Sequence, residues 1–183
     1  MKSIVIGAVV LSLVPMTAYS DTIGVYDDPQ GTECNISDVT DLMKEVYVVH
    51  KSSQGTTGAQ WSAPKPACWT NASWLSDTAV WPVVVGDSQT GMRLAYGLCQ
   101  TGAYLVTTIY YFVDGTSPAC CQYPLLPHPD LPSGQVEVTD CNFNIQWGVG
   151  LTSTINGDET CPCGYPVPVE KMTWGKIKAL FTE

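Results

Sequence analysis

The sequence predicts an all-β domain: an antiparallel two-sheet sandwich, disulfide-braced, with a short C-terminal helix. Three observations carry this. Between Asp21 and Leu151 the apolar residues come in short, often alternating runs rich in β-branched and aromatic types, separated by clusters of Gly, Pro, Asn, Asp and Ser. No stretch of that region sustains a helical period with caps, which argues against alternating βαβ units and a parallel sheet. All eight cysteines, Cys34, Cys68, Cys99, Cys120, Cys121, Cys141, Cys161 and Cys163, follow the first 20 residues, and an even set of this kind favours a disulfide framework in an oxidising compartment.

Residues 1–20 read as a secretory signal peptide. Lys2 gives a positive start, Ile4 to Val14 an apolar run, and Pro15 with the small residues Ala18 and Ser20 a cleavage region before Asp21. The run is shorter than the ~20 residues of a membrane-spanning helix. Of 183 residues, 163 remain after removal, the size of one compact domain, and loss of Lys2 moves the formal net charge from −9 to −10. Such an acidic chain repels nucleic-acid phosphates and anionic membranes, so nucleic acid is excluded as a partner.

Residues 21–160 form the predicted sandwich. Strands are expected near Thr22–Tyr26, Glu45–His50, Val80–Val85, Met92–Leu98, Tyr104–Phe112, Cys121–Leu125, Gln135–Thr139 and Asn142–Trp147. Tyr104–Phe112 is densest in β-formers, and Thr107 and Thr108 make it too polar for a buried helix. Alternations such as Gln135-Val136-Glu137-Val138 place one strand face inward and one in water. Pro124–Pro132 carries four prolines and reads as a loop. Residues 161–183 change character: after the Cys/Pro-rich stretch, Thr173 caps a helix over Trp174–Phe181, with Trp174, Ile177 and Phe181 on one face and Lys176 and Lys178 suited to the C-terminal end of its dipole.

Candidate chemistry is sparse. Val83–Val85 followed by Gly86-Asp87-Ser88 is similar to the strand-then-Gly-Asp-Ser entrance of one hydrolase family, but that family's Asp-x-x-His pair is missing, and Gly91 falls one residue too late for Gly-x-Ser-x-Gly. A plain turn before Met92 is the better reading. His50 and His128 lack the paired settings of catalytic or metal-binding histidines and are expected at the surface. Cys120–Cys121 and Cys161–Cys163 do not have zinc-knuckle spacing, so no metal or other cofactor is expected. Adjacent cysteines on a strand face opposite ways, which puts Cys120 and Cys121 in different bridges. The expected pairing joins Cys34 to Cys68 and ties Cys99 and Cys141 to Cys120 and Cys121. The acidic clusters Asp27–Asp28 and Asn156–Glu159 lack the alternation of a calcium loop and read as solvated turns. Asn35-Ile36-Ser37 and Asn71-Ala72-Ser73 match the glycosylation acceptor, which matters only in a eukaryotic host.

Trp61, Trp69, Trp74 and Trp81 lie close together in sequence. Flat aromatic rings suit carbohydrate binding, whereas filling the space between sheets is the commoner use of such tryptophans. These four are the candidate ligand-binding residues.

Val46-Tyr47-Val48-Val49-His50, the Gly86–Gly91 turn, Ala95-Tyr96-Gly97-Leu98-Cys99, Cys120-Cys121 and Thr173-Trp174-Gly175-Lys176-Ile177-Lys178 together give the chain a resemblance to uncharacterised exported bacterial β-sandwich proteins with a Thr-Trp-Gly-x-Ile-Lys tail. Glu45–Ser62, with its Gly58-Ala59-Gln60-Trp61 step, is similar to segments of cohesins, β-sandwich modules that bind protein partners on bacterial surfaces. The resemblance implies bacterial export and a shared terminal element, and it brings no active residues.

The expected function is a non-catalytic structural or protein-binding module, secreted or held at the cell envelope. A carbohydrate-binding module is the alternative. The corresponding partners are an extracellular protein or a polysaccharide.

Overall fold

The computed structural model describes residues 21–38, 43–161 and 163–166. The proposed signal peptide and the helix expected over Trp174–Phe181 lie outside the described residues. Among the described residues ten strands follow in order: β1 (Asp21–Tyr26), β2 (Asn35–Ile36), β3 (Met43–Trp61), β4 (Ala72–Thr78), β5 (Val83–Asp87), β6 (Gly91–Val113), β7 (Cys121–Pro124), β8 (Val136–Asp140), β9 (Ile145–Ile155) and β10 (Tyr165–Pro166).

The architecture follows from two long strands that each serve both layers of a sandwich. Residues 43–52 of β3 pair antiparallel with β1 and with residues 102–112 of β6, whose other edge carries β4. Further along, residues 56–61 of β3 pair with β8 and with the first part of β6, whose other edge carries β5. β9 runs beside β8 and then β7, and β1 closes the side by pairing parallel with β9 at Thr22↔Val149 and Ile23↔Gly150.

The crossing from one layer to the other is made by bulges. The β3–β6 register slips between Ser52 and Thr56 and again between Thr56 and Gly58. Gly55, Gly97 and Gly102 take φ of 90°, 79° and 81° there, a left-handed backbone that glycine adopts at little cost. Strands expected as Met92–Leu98 and Tyr104–Phe112 are therefore one strand, and Glu45–His50 is the first part of a strand of 19 residues.

Between the layers lies an aliphatic and aromatic core. Ile23, Val25, Val46, Val48, Trp61 and Ile109 are wholly buried. Trp69 packs on Tyr111 with ring centroids 4.5 Å apart, and the Tyr111 and Tyr123 hydroxyls share a 2.6 Å hydrogen bond that links β6 to β7. Burial raises the Tyr111 hydroxyl to about 12, against the opposing pull of its bonds to Tyr123 and Gln89.

Four disulfides brace the ends: Cys34–Cys163, Cys68–Cys121, Cys99–Cys141 and Cys120–Cys161. Cys120 and Cys121 do belong to different bridges. The rest of the expected pairing is corrected: Cys34 joins Cys163 rather than Cys68, and Cys99 and Cys141 join each other. The reason is topological. β2 lies beside the end of β9, next to where β10 returns, and this brings Cys34 to Cys163. Cys99 and Cys141 flank Gly55 at the strand crossing, where a Cβ on residue 55 would stand 2.6 Å from one sulfur and 2.7 Å from the other.

Candidate protein-binding face

Strand alternation sends one set of side chains from β5, β6, β3, β8 and β9 into the core and the other to the outside of that layer. Cross-strand register sorts the outward set into two rows. One reads Val85, Arg93, Gln60, Glu137, Trp147; its neighbour reads Val83, Ala95, Gly58, Thr139, Ile145. Val83, Val85, Ile145 and Trp147 are 52–63% exposed. The face is apolar at both flanks, low over Gly58 and Ala95, and polar along one row.

The polar row is held by its own bonds. Gln60 Nε2 donates to Glu137 at 2.7 Å, Arg93 Nε donates to Gln60 at 3.1 Å, and Arg93 Nη2 donates to Asp130 at 3.1 Å. Ser133 Oγ donates to the other Glu137 oxygen at 3.2 Å. The side chains are thus fixed before any ligand arrives, which lowers the ordering cost of binding. A shallow groove runs over Gln60, Arg93, Glu137, Thr139 and Ile145.

The tryptophans singled out from the sequence do not form a shared platform. Trp61 and Trp69 are wholly buried, and Trp69 Nε1 donates to Asp38 at 2.8 Å. Trp74 and Trp81 are half-buried, with Nε1 donating to Asp77 and to the Val106 carbonyl respectively. The Trp81 ring lies 4.7 Å from that of Tyr96. Among the described tryptophans the exposed ring is that of Trp147, which sequence reading passed over; its alternation with Ile145 and Val149 across Gly148 was the available signal.

Both histidines depart from expectation, since neither is at the surface. His50 is wholly buried between the layers, with Nδ1 3.1 Å from the Tyr96 hydroxyl and 3.0 Å from that of Tyr104, and Nε2 3.6 Å from Asp21. His128 packs over Gly91, where a Cβ would lie 2.6 Å from its Nε2, and burial together with nearby Arg93 lowers its pKa. Ser88 is also wholly buried; its hydroxyl donates to Asp77 at 2.9 Å and accepts from Gln89. That is a turn-closing serine, inaccessible to a substrate.

The acidic turns are closed internally. Asp28 accepts from the Thr32 and Glu33 amides and the Thr32 hydroxyl, and Asp140 accepts from Asn142, Asn144 and Gln146. Asp158 Oδ1 lies 3.5 Å from both Cys120 and Cys161 sulfurs, but these are bonded to each other and offer no pair of thiolates. Asn35 and Asn71 are also engaged: Asn35 bonds Gly157 through both amide atoms, and Asn71 Oδ1 accepts from Ser117.

No family model and no curated protein matches the chain. Several solved structures are similar to it. A non-cellulosomal cohesin from the hyperthermophilic archaeon Archaeoglobus fulgidus is 12% identical with a TM-score of 0.46, over 74% of this chain and 91% of that one. The seventh ScaB type I cohesin from Pseudobacteroides cellulosolvens is 11% identical with a TM-score of 0.46, over 80% and 97%. The cohesin module of a Clostridium perfringens family 33 glycoside hydrolase is 7% identical with a TM-score of 0.46, over 76% and 99%.

Proposed function

We propose that this chain is an exported, non-catalytic module that binds a protein through the outer face of β5, β6, β3, β8 and β9. The observation that carries the reading is the pair of cross-strand rows, with Val83, Val85, Ile145 and Trp147 exposed around a polar network that is already hydrogen-bonded. Strands about 4.8 Å apart make the face roughly 20 Å wide. That suits one half of a small protein–protein interface. Its composition fits the same use, because an aromatic and an arginine sit among aliphatics and lysine is missing from both rows. Export is supported by the leader-like first 20 residues and by four bridges that need an oxidising compartment.

A carbohydrate ligand is the second reading, favoured by the exposed Trp147 ring on a flat face. Binding to the extracellular fraction of the host, before and after treatment of that fraction, separates the two. Loss of binding after protease digestion with retention after periodate oxidation supports a protein partner. The reverse pattern supports a glycan. Turnover of esters, glycans or peptides by the purified mature chain would overturn both.

A further inference from the structure

We propose that two copies of this chain pair edge to edge through β5, with Val83–Val85 antiparallel to the same residues of the second copy and Val84 meeting its own mate at a two-fold axis. The inference goes beyond the binding-face reading and stands without it. It uses the backbone edge of β5, and the outward rows of the two copies run on across the axis.

The first observation is an open edge. β5 pairs with β6 on one side, and among the described residues no strand lies on its other side. Val83, Val84 and Val85 are 52%, 39% and 56% exposed. Val84 stands opposite the buried Leu94, so it belongs to the core-facing side of the strand and is nevertheless open to solvent. Both faces of β5 are therefore apolar and uncovered at its free edge. Edge strands are ordinarily blunted by a charge, a bulge or a proline within them. β4, which flanks the other part of β6, has such a device in the register shift between Trp74 and Ser76. The three valines have none: Pro82 stands just before them, and the register with β6 is unbroken from Val83 to Asp87.

A second copy is the occupant that fits this edge. Val83-Val84-Val85 reads the same in both directions, so antiparallel pairing about Val84 sets Val83 of each copy against Val85 of the other. The outward N–H and C=O groups belong either to Val84 or to Val83 and Val85, and this register pairs both sets. Charge points the same way. Copies of a chain with net charge −9 repel each other, yet Thr78 to Gly86 carries no Asp, Glu, Lys or Arg. Asp87 lies three residues from the axis, which puts the two Asp87 residues about 20 Å apart along the strands. That is well beyond the Debye length of about 8 Å. Three residues of strand cover less than the roughly 800 Å² per partner of a stable interface, so the pairing is weak and concentration-dependent.

Sedimentation velocity of the full mature chain, run from about 1 to about 500 µM, tests this. The wild type is expected to pass from monomer to dimer within that range. Val84→Lys and Val84→Glu should each weaken the dimer at least tenfold, because like charges then meet at the axis, and an equimolar mixture of the two should restore it. Thermal unfolding and a non-reducing peptide map check that each variant is folded with its four bridges. A wild type that stays monomeric to the top of the range, a dimer indifferent to both variants, or a mixture that fails to recover it overturns the proposal. Ile145→Asp with Trp147→Asp should leave the dimer unchanged, so edge pairing and the protein-binding face can fail separately.

Discussion

The Asp38 carboxylate accepts a 2.8 Å hydrogen bond from Trp69 Nε1 at a point that solvent does not reach, and the same carboxylate accepts from the Ser117 amide and hydroxyl and from Asn156 Nδ2. One buried acid thereby joins the segment after β2, the loop before β4, the loop before β7 and the turn after β9. A lone buried carboxylate is costly unless its oxygens are bonded, and here they are.

Burial alone would raise the Asp38 pKa, but the donors from Ser117, Asn156 and Trp69 outweigh it and hold the group below its ordinary 3.8. A depressed folded-state pKa contributes stability that is complete above the unfolded value and drains away as pH falls through the lowered one. Thermal stability should therefore be insensitive to Asp38 ionisation at neutral pH and decline below about pH 4. Asp38→Asn should cost roughly 1–3 kcal/mol at pH 7, because the new amide brings a donor among donors, and should flatten the acid limb of Tm against pH.

Trp69 and Trp147 should behave oppositely when replaced. Trp69→Ala empties a core site against Tyr111 and is expected to cost about 3–5 kcal/mol in chemical denaturation. Trp147→Asp and Ile145→Asp, on exposed positions, should each cost no more than about 1 kcal/mol, most of it from the strand's dislike of Asp and, at 147, from the carboxylate set opposite Glu137. That margin makes them clean probes of binding.

Gly55 and Gly102 separate crowding from backbone cost. Both have positive φ, but a Cβ at Gly102 meets nothing within 4 Å whereas one at Gly55 strikes both sulfurs of the Cys99–Cys141 bridge. Gly102→Ala should cost about 1 kcal/mol. Gly55→Ala should cost more and leave a measurable fraction of free thiol at Cys99 and Cys141, read by alkylation under denaturing conditions.

Replacing Cys99 and Cys141 together with alanine opens a loop of sequence separation 42, and the chain-entropy relation puts the loss at about 4 kcal/mol. A non-reducing peptide map of the native protein should return the four pairs found here, with Cys34 linked to Cys163.

Much of the architecture was legible because alternation and turn residues are local signals. Tyr104–Phe112, Gln135–Thr139 and Thr22–Tyr26 all fall on or within a residue of observed strands. What escaped is non-local. Ser52-Ser53-Gln54-Gly55 and Leu98-Cys99-Gln100-Thr101-Gly102 look like turns in sequence, yet the backbone passes through both as bulges within a strand. β4 was missed because its sequence, Ala72–Thr78, mixes polar and apolar residues on both sides, with Trp74 beside Leu75, and so shows no alternation, and β2 and β10 are two-residue strands too short to show a period. The expected strand Asn142–Trp147 began too early, since Asp140 closes Asn142–Asn144 into a turn. His50 read as a surface residue because nothing near it in sequence reveals Tyr96 and Tyr104, which reach it from β6. The outer face proposed for binding was hidden for the same reason: its rows join residues that only the register brings together.

The most direct measurement is quantitative capture from the host's extracellular fraction by the wild-type mature chain and by the Ile145→Asp, Trp147→Asp double variant, side by side, with mass-spectrometric quantification. A binding face on β5, β6, β3, β8 and β9 predicts at least one protein retained by the wild type and reduced tenfold or more on the variant, whose folding is checked by its thermal unfolding and its four bridges. The same proteins retained to the same extent by both chains would contradict it.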